Sequence, residues 1–213
     1  MSGAATKPAA LATGQWAGDE VYVVGSGPSR SLVDIADLDR RCDRGEVRII
    51  AVNHACHDTP HADIVFSKDL GLYRDQPEHP KCCNDLGARS RGLCVYSLHS
   101  SDWGYWVDAL PELMLIREWP RSGVGQCGPW PRSLDEPIVT CGCSGTGAIC
   151  LADMLCGGDP ASRIHLVGLD MDRDPYTRWA GWFVANGYAG AVRTPVVVHG
   201  GTTLDPEGRW RRA

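Results

Sequence analysis

The chain has 213 residues, of which 43% are hydrophobic and 22% charged. That is enough to bury a proper core and is not the composition of a disordered segment. A formal net charge of −5 gives no general attraction to nucleic acid or anionic membrane, and no run approaches the ~20 apolar residues that span a bilayer.

The opening "MSGAATKPAALATGQWAGDE" has one Lys and no apolar core of signal-peptide length. Residues 1–19 therefore read as a flexible lead-in to a cytoplasmic protein. Ten cysteines occur, several within apolar segments (Cys94, Cys150, Cys156), where Cys behaves as a small hydrophobe; reduced thiols are expected.

"EVYVVG" (20–25) is a continuous apolar run ending in Gly, the mark of a strand buried on both faces. "SLVDIADLDRRC" (31–42) puts Leu32, Ile35 and Leu38 on one helical face. "VRIIAVN" (47–53) and "ADIVFS" (62–67) read as strands, as do "GLCVYSL" (92–98) and "EPIVTC" (136–141). "TGAICLADMLC" (146–156) is a predicted helix, "SRIHLVGLD" (162–170) a strand and "YTRWAGWFVANG" (176–187) a helix stopped by Gly187. "GAVRTPVVVHG" (190–200) is the last predicted strand.

This alternation predicts a single α/β, Rossmann-like domain over residues 20–200, a mostly parallel sheet with helices on both faces. The Pro-, Gly- and Trp-rich stretch 70–131 is a candidate lid or insertion. Its Trp103, Trp106, Trp119 and Trp130 are expected to pack a satellite core rather than form an acceptor platform. Residues 201–213, closing on "RWRRA", read as a solvated tail.

Ligands of open parallel sheets bind beyond the carboxyl ends of the strands, so the chemistry should sit in the residues that follow them. Gly25 and Gly27 allow a sharp turn, Pro28 fixes one dihedral and Ser29 is placed to cap the next helix, whose free amides attract phosphate. A plain strand-to-helix turn is the other reading of the same residues. "GSGPSR" lacks the third Gly of the dinucleotide fingerprint, and Asn53 stands where that fingerprint has an acidic residue, which disfavours NAD or FAD. "CGCSGTGAIC" repeats the design, with Ser144 and Thr146 as hydroxyls and Gly142, Gly145 and Gly147 allowing close approach. Two such turns on one edge point to a nucleotide or another phosphorylated ligand.

Other constellations are weaker. His54, Cys56, His57, His61, Cys141 and Cys143 do not fall in the paired spacing of structural zinc. Asp69, Asp170, Asp172 and Asp174 follow strands and are placed either to hold Mg²⁺ against phosphates or to be solvated loop carboxylates. No P-loop and no G-x-S-x-G motif is present.

The ordered set of a Gly-x-Gly-Pro-Ser turn, an Asn ending the second strand, a strand running into Ser-x-Asp, a later Ser-Gly helix start and "IHLVGLDM" resembles a known superfamily. It contains the bacterial CMP-sialic-acid sialyltransferases, the motility accessory factor glycosyltransferases and the archaeal 6-hydroxymethylpterin pyrophosphokinases. The resemblance spans roughly residues 20–73 and 137–178. It implies nucleotide contacts from Ser26, Gly27, Asn53, Ser144, Gly145, Gly168 and Asp170, and a phosphate-steadying role for Tyr176. The family's base is a lid His; the one His beyond that segment here is His199, with Asp170 as the alternative base. The implied activity is a nucleotide-sugar-dependent glycosyltransferase with a CMP-sugar donor, an unidentified acceptor and no essential metal. A Mg²⁺-dependent diphosphotransferase using Asp69, Asp170 or Asp172 is the alternative, as is a non-catalytic nucleotide-binding or structural module.

Overall fold

A computed structural model describes residues 11–68, 93–98, 114–119 and 127–213. Among these residues eight strands form one sheet: β1 (Glu20–Val24), β2 (Arg48–Val52), β3 (Ile64–Ser67), β4 (Leu93–Leu98), β5 (Met114–Arg117), β6 (Arg163–Val167), β7 (Val196–His199) and β8 (Arg211–Arg212). Every pairing is parallel and the spatial order is β5-β4-β3-β2-β1-β6-β7-β8. The chain thus winds outward from β1 in one direction, then returns to the other side of β1 and winds outward again. The reversal falls between β1 and β6, which makes their carboxyl ends the topological switch point. The α/β, Rossmann-like fold expected from the sequence is the fold observed.

The strands are apolar throughout because both faces of the sheet are covered. Val21, Val23, Ile50, Val52, Phe66, Ile164 and Leu166 face one core, shared with α2 (Ser144–Cys156), all thirteen residues of which are buried. Tyr22, Val24, Ile49, Ala51, Val65 and Val167 face the other, shared with Leu38 and Cys42 of α1 (Ile35–Asp43). Small residues let α2 lie close to the sheet: a Cβ at Gly147 would come within 2.8 Å of the Phe66 ring. Helices α3 (Tyr176–Ala185) and α4 (Tyr188–Ala191) lie between β6 and β7, and Gly187, at φ 70°, ends the first of them as expected.

One charge sits wholly inside this core. Asp153 of α2 is 0% exposed and accepts from Trp130 Nε1 (2.9 Å), Arg193 N (3.1 Å), Thr194 N (2.8 Å) and Thr194 Oγ1 (2.8 Å), with Arg193 Nε at 3.4 Å. It ties α2 to the approach to β7. Trp119 and Trp130 pack against this main core and not against a satellite one, while Trp103 and Trp106 lie outside the described residues.

Several elements differ from the sequence reading, each for a local reason. After β1 the chain makes a 3-10 turn, Pro28–Leu32, before α1 begins at Ile35. Asp34 is the helix cap, accepting from Asp37 N at 2.9 Å; Ser29 is not, and Leu32 is 67% exposed. Residues 136–141 do not form a strand. They make a single parallel bridge, Ile138 to Glu118, after which Cys141, at φ 45°, turns the chain toward α2. The last long strand starts only at Val196, because Tyr188–Ala191 is helical and Pro195 has no amide to give a ladder.

Both segments read as loose ends are docked where they are described. Trp16 is 3% exposed and its amide donates to Leu155 O (2.8 Å), while Gly14 N donates to Met154 O (3.0 Å), so carbonyls at the end of α2 are satisfied from outside the helix. At the other terminus Asp205 accepts from Arg209 N (2.9 Å) and Trp210 N (2.7 Å), and Trp210 is buried. Residues 201–213 thereby add the edge strand β8 instead of a solvated tail. No described helix is long and apolar enough to cross a membrane, and the seven described cysteines outside β4 are buried, none of them in a disulfide among the described residues.

Candidate functional site

The switch point opens into a cavity of about 350 Å³, the size range of small-molecule sites. Three strand ends and two helices build it. The turn after β1 contributes Gly25, Ser26, Gly27 and Pro28; the end of β2 contributes Asn53; the start of α2 contributes Gly142 to Gly145; and the turn after β6 contributes Gly168 to Arg173, followed by Tyr176 and Trp179 of α3.

The two glycine turns differ in what they offer. Gly25 N donates to Val167 O (2.8 Å) and Gly27 N to Gly168 O (2.8 Å), while Ser29 N and Oγ both donate to Asp170 Oδ2 (3.1 and 3.0 Å). Those amides are consumed in fastening β1 to β6, so the first turn does not present them to phosphate as expected. Its glycines serve close approach: a Cβ at Gly25 would lie 2.5 Å from Gly168 O, and one at Gly27 2.7 Å from the same atom. Gly168 itself has φ +67°, a conformation side chains rarely adopt.

The second turn keeps its helix end toward the cavity. Cys143 caps α2, its sulfur accepting from Thr146 N at 3.5 Å, and burial pushes its thiol pKa up, which disfavours the thiolate. Ser144 Oγ accepts from Lys68 N (3.0 Å), leaving its own proton to donate to a ligand. Behind it Lys68 Nζ pairs with both Glu118 oxygens (3.0 and 3.2 Å), and Thr140 Oγ1 also donates to Glu118. This nearly buried pair braces the turn that carries Ser144. Thr146 does not line the cavity; fully buried, its hydroxyl bonds the carbonyls of Thr140 and Cys143.

Asn53 is the most informative lining residue. It sits at φ 52°, a region Asn tolerates better than most side chains, and its buried Oδ1 has no hydrogen-bond partner among the described residues. Two other buried side-chain atoms share that condition, Trp119 Nε1 and His165 Nε2, but neither residue lines the cavity. A buried acceptor without a donor costs free energy unless a ligand supplies one.

Of the remaining residues singled out from the sequence, Asp170, Asp172 and Tyr176 line the cavity, Tyr176 at 49% exposure. Ser29 lies just behind it, bonded to Asp170. Asp69 lies outside the described residues. His199 is not at the site. Along β7 it alternates with Val196 and Val198, so it projects from the sheet face opposite α2. There its Nε2 lies 3.0 Å from His165 Nδ1, and His165 stacks on Tyr22 with ring centroids 4.3 Å apart. Burial, reinforced by His199, Arg41 and Arg163, pushes the His165 pKa down to about 4, and burial lowers that of His199 too. His199 is therefore withdrawn as a candidate base.

Two lining residues escaped the sequence reading, Arg173 and Trp179. Trp179 stands three positions after Tyr176 on α3, and its ring packs edge-on against that of Tyr176, with centroids 5.3 Å apart; the i, i+3 spacing was the available signal. Arg173 precedes Tyr176 by the same spacing. Among the described residues no group of three or more His, Cys, Asp or Glu side chains is arranged to hold a metal ion. No protein-family model matches this chain, and no curated protein is detectably similar to it in sequence.

Proposed function

We propose that the protein is a nucleotide-sugar-dependent glycosyltransferase with a CMP-activated donor. The unpartnered Asn53 Oδ1 carries the reading: it is a buried acceptor beside a cavity at the switch point, suited to the exocyclic amino group of a cytosine. Ser144 Oγ supplies a donor for the ligand's oxygens, and the positive end of α2 favours their negative charge. Transfer is a direct displacement: the acceptor hydroxyl oxygen bonds to the anomeric carbon as the bond from that carbon to the phosphate oxygen breaks. Asp170, the base candidate that lines the cavity, takes the hydroxyl proton, and the Tyr176 hydroxyl donates to the departing phosphate.

A second reading, a Mg²⁺-dependent diphosphotransferase, is favoured by one observation: Asp170 and Asp172 line the same cavity. Thermal stabilisation by CMP, CDP, UDP, GDP and ATP, each with and without Mg²⁺, separates the two. A ligand at a hundred times its dissociation constant adds about 2.7 kcal/mol. The expected result is a metal-independent shift with CMP that disappears in Asn53→Gly, a variant that keeps the left-handed backbone and deletes the amide. A shift with ATP only in the presence of Mg²⁺ transfers the assignment to the diphosphotransferase. Binding of CMP without turnover of any CMP-sugar leaves a nucleotide-binding module.

A further inference from the structure

Arg173 lies in the turn after β6 and is the one basic side chain lining the cavity among the described residues. Other arginines of the protein are engaged: Arg30 with Asp58 (2.7 Å), Arg48 with Asp19 (2.9 Å) and Asp63 (3.1 Å), Arg193 with Asp153 (3.4 Å). Arg173 has no carboxylate within ion-pair distance among the described residues, although Asp170 and Asp172 are its near neighbours in sequence. Asp170 turns Oδ2 toward Ser29 instead. An unpaired guanidinium and the amino-terminal end of α2 thus border one space, and both favour negative charge.

Depth orders the ligand as well. Asn53 Oδ1 is buried, whereas Arg173 is exposed at the mouth. We propose that Arg173 grips the phosphate of the bound nucleotide, in the bidentate geometry that guanidinium and phosphate share, and so makes the cavity select nucleotides over nucleosides. The base then points inward to Asn53, and the bond that breaks lies at the mouth, where an acceptor arrives. This inference rests on the nucleotide reading above.

Calorimetric titration of the whole chain with CMP, cytidine and pyrophosphate tests it, using wild type, Arg173→Gln, Arg173→Lys and, as a charge control, Arg178→Gln on the exposed surface of α3 outside the cavity lining. The expected result is that Arg173→Gln weakens CMP by about tenfold to a hundredfold, leaves cytidine unchanged, and abolishes pyrophosphate binding. Arg173→Lys should recover part of the loss and Arg178→Gln should match wild type. If Arg173→Gln keeps the wild-type preference for CMP over cytidine, the Arg173 assignment is overturned while the nucleotide reading stands. If wild type binds pyrophosphate but neither CMP nor cytidine, the nucleotide reading fails, and a loss of pyrophosphate in Arg173→Gln alone still supports an anion site at Arg173. Wild type that binds none of the three overturns both.

Discussion

The two ends of α2 handle polar groups in opposite ways. Toward its carboxyl end Asp153 is completely buried and receives hydrogen bonds from Trp130, Arg193 and Thr194. At its amino end the helix looks into a cavity where Asn53 Oδ1 has no donor and Arg173 no counter-ion among the described residues. A saturated polar centre is part of what holds the fold together. An unsaturated one leaves hydrogen-bonding capacity that the fold itself does not use and that is open to a ligand.

Breaking the saturated end should be the most costly change. Asp153→Ala strands the amide of Thr194 and the indole of Trp130, and a loss of about 3–5 kcal/mol is expected in urea unfolding. Next comes the seam between the ends. Gly168→Ala forces a side chain into φ +67° with its Cβ 2.6 Å from Gly25 O, which should cost about 2 kcal/mol and weaken nucleotide binding together with stability.

The histidine cluster on the opposite face sharpens the comparison through pH. Free imidazole takes its proton near pH 6.5, whereas folded His165 is held down at about 4 by burial, His199, Arg41 and Arg163. The unfolded chain therefore binds the proton first. This contribution is fully present above pH 6.5 and is lost as the pH falls from there through about 4. Melting temperatures measured over that range should fall in wild type, and His165→Phe should flatten the part of the slope due to this residue.

The smallest stability effect is expected at the unsaturated end. Asn53→Gly removes an acceptor that has no donor and keeps the backbone conformation, so the ligand-free protein should lose no stability. The loss appears only when CMP is added.

Much of this was legible because parallel strands buried on both faces read as apolar runs, and the residues that stop them fall at the ligand-binding edge. Gly25 to Pro28, Asn53, Ser144, Gly145, Gly168 and Asp170 were found by position alone and do line the cavity. The job of each was less legible. Nothing near Gly27 in sequence shows that its amide will be taken by Gly168 O, and only the β1 to β6 pairing creates that bond. His199 could have been set aside from parity, since Val196 and Val198 claim the face that packs toward α2. Arg173 sits in a run of charges, Asp172 to Asp174, that reads as solvated loop until the cavity behind it is seen.

The fastening of the first turn also sets when the site can exist. Ser29 and Asp170 are 141 residues apart, and β1 cannot pair with β6 until that whole length has been made. Contacts of such separation close late, because the chain entropy of a long loop must be overcome before they give anything back. During synthesis β1 therefore leaves the ribosome with one edge unpartnered, and the cavity is completed only after β6 has emerged. Any ligand binding at this cavity should consequently appear late in folding, which makes it a stringent sign that the chain has reached its native topology.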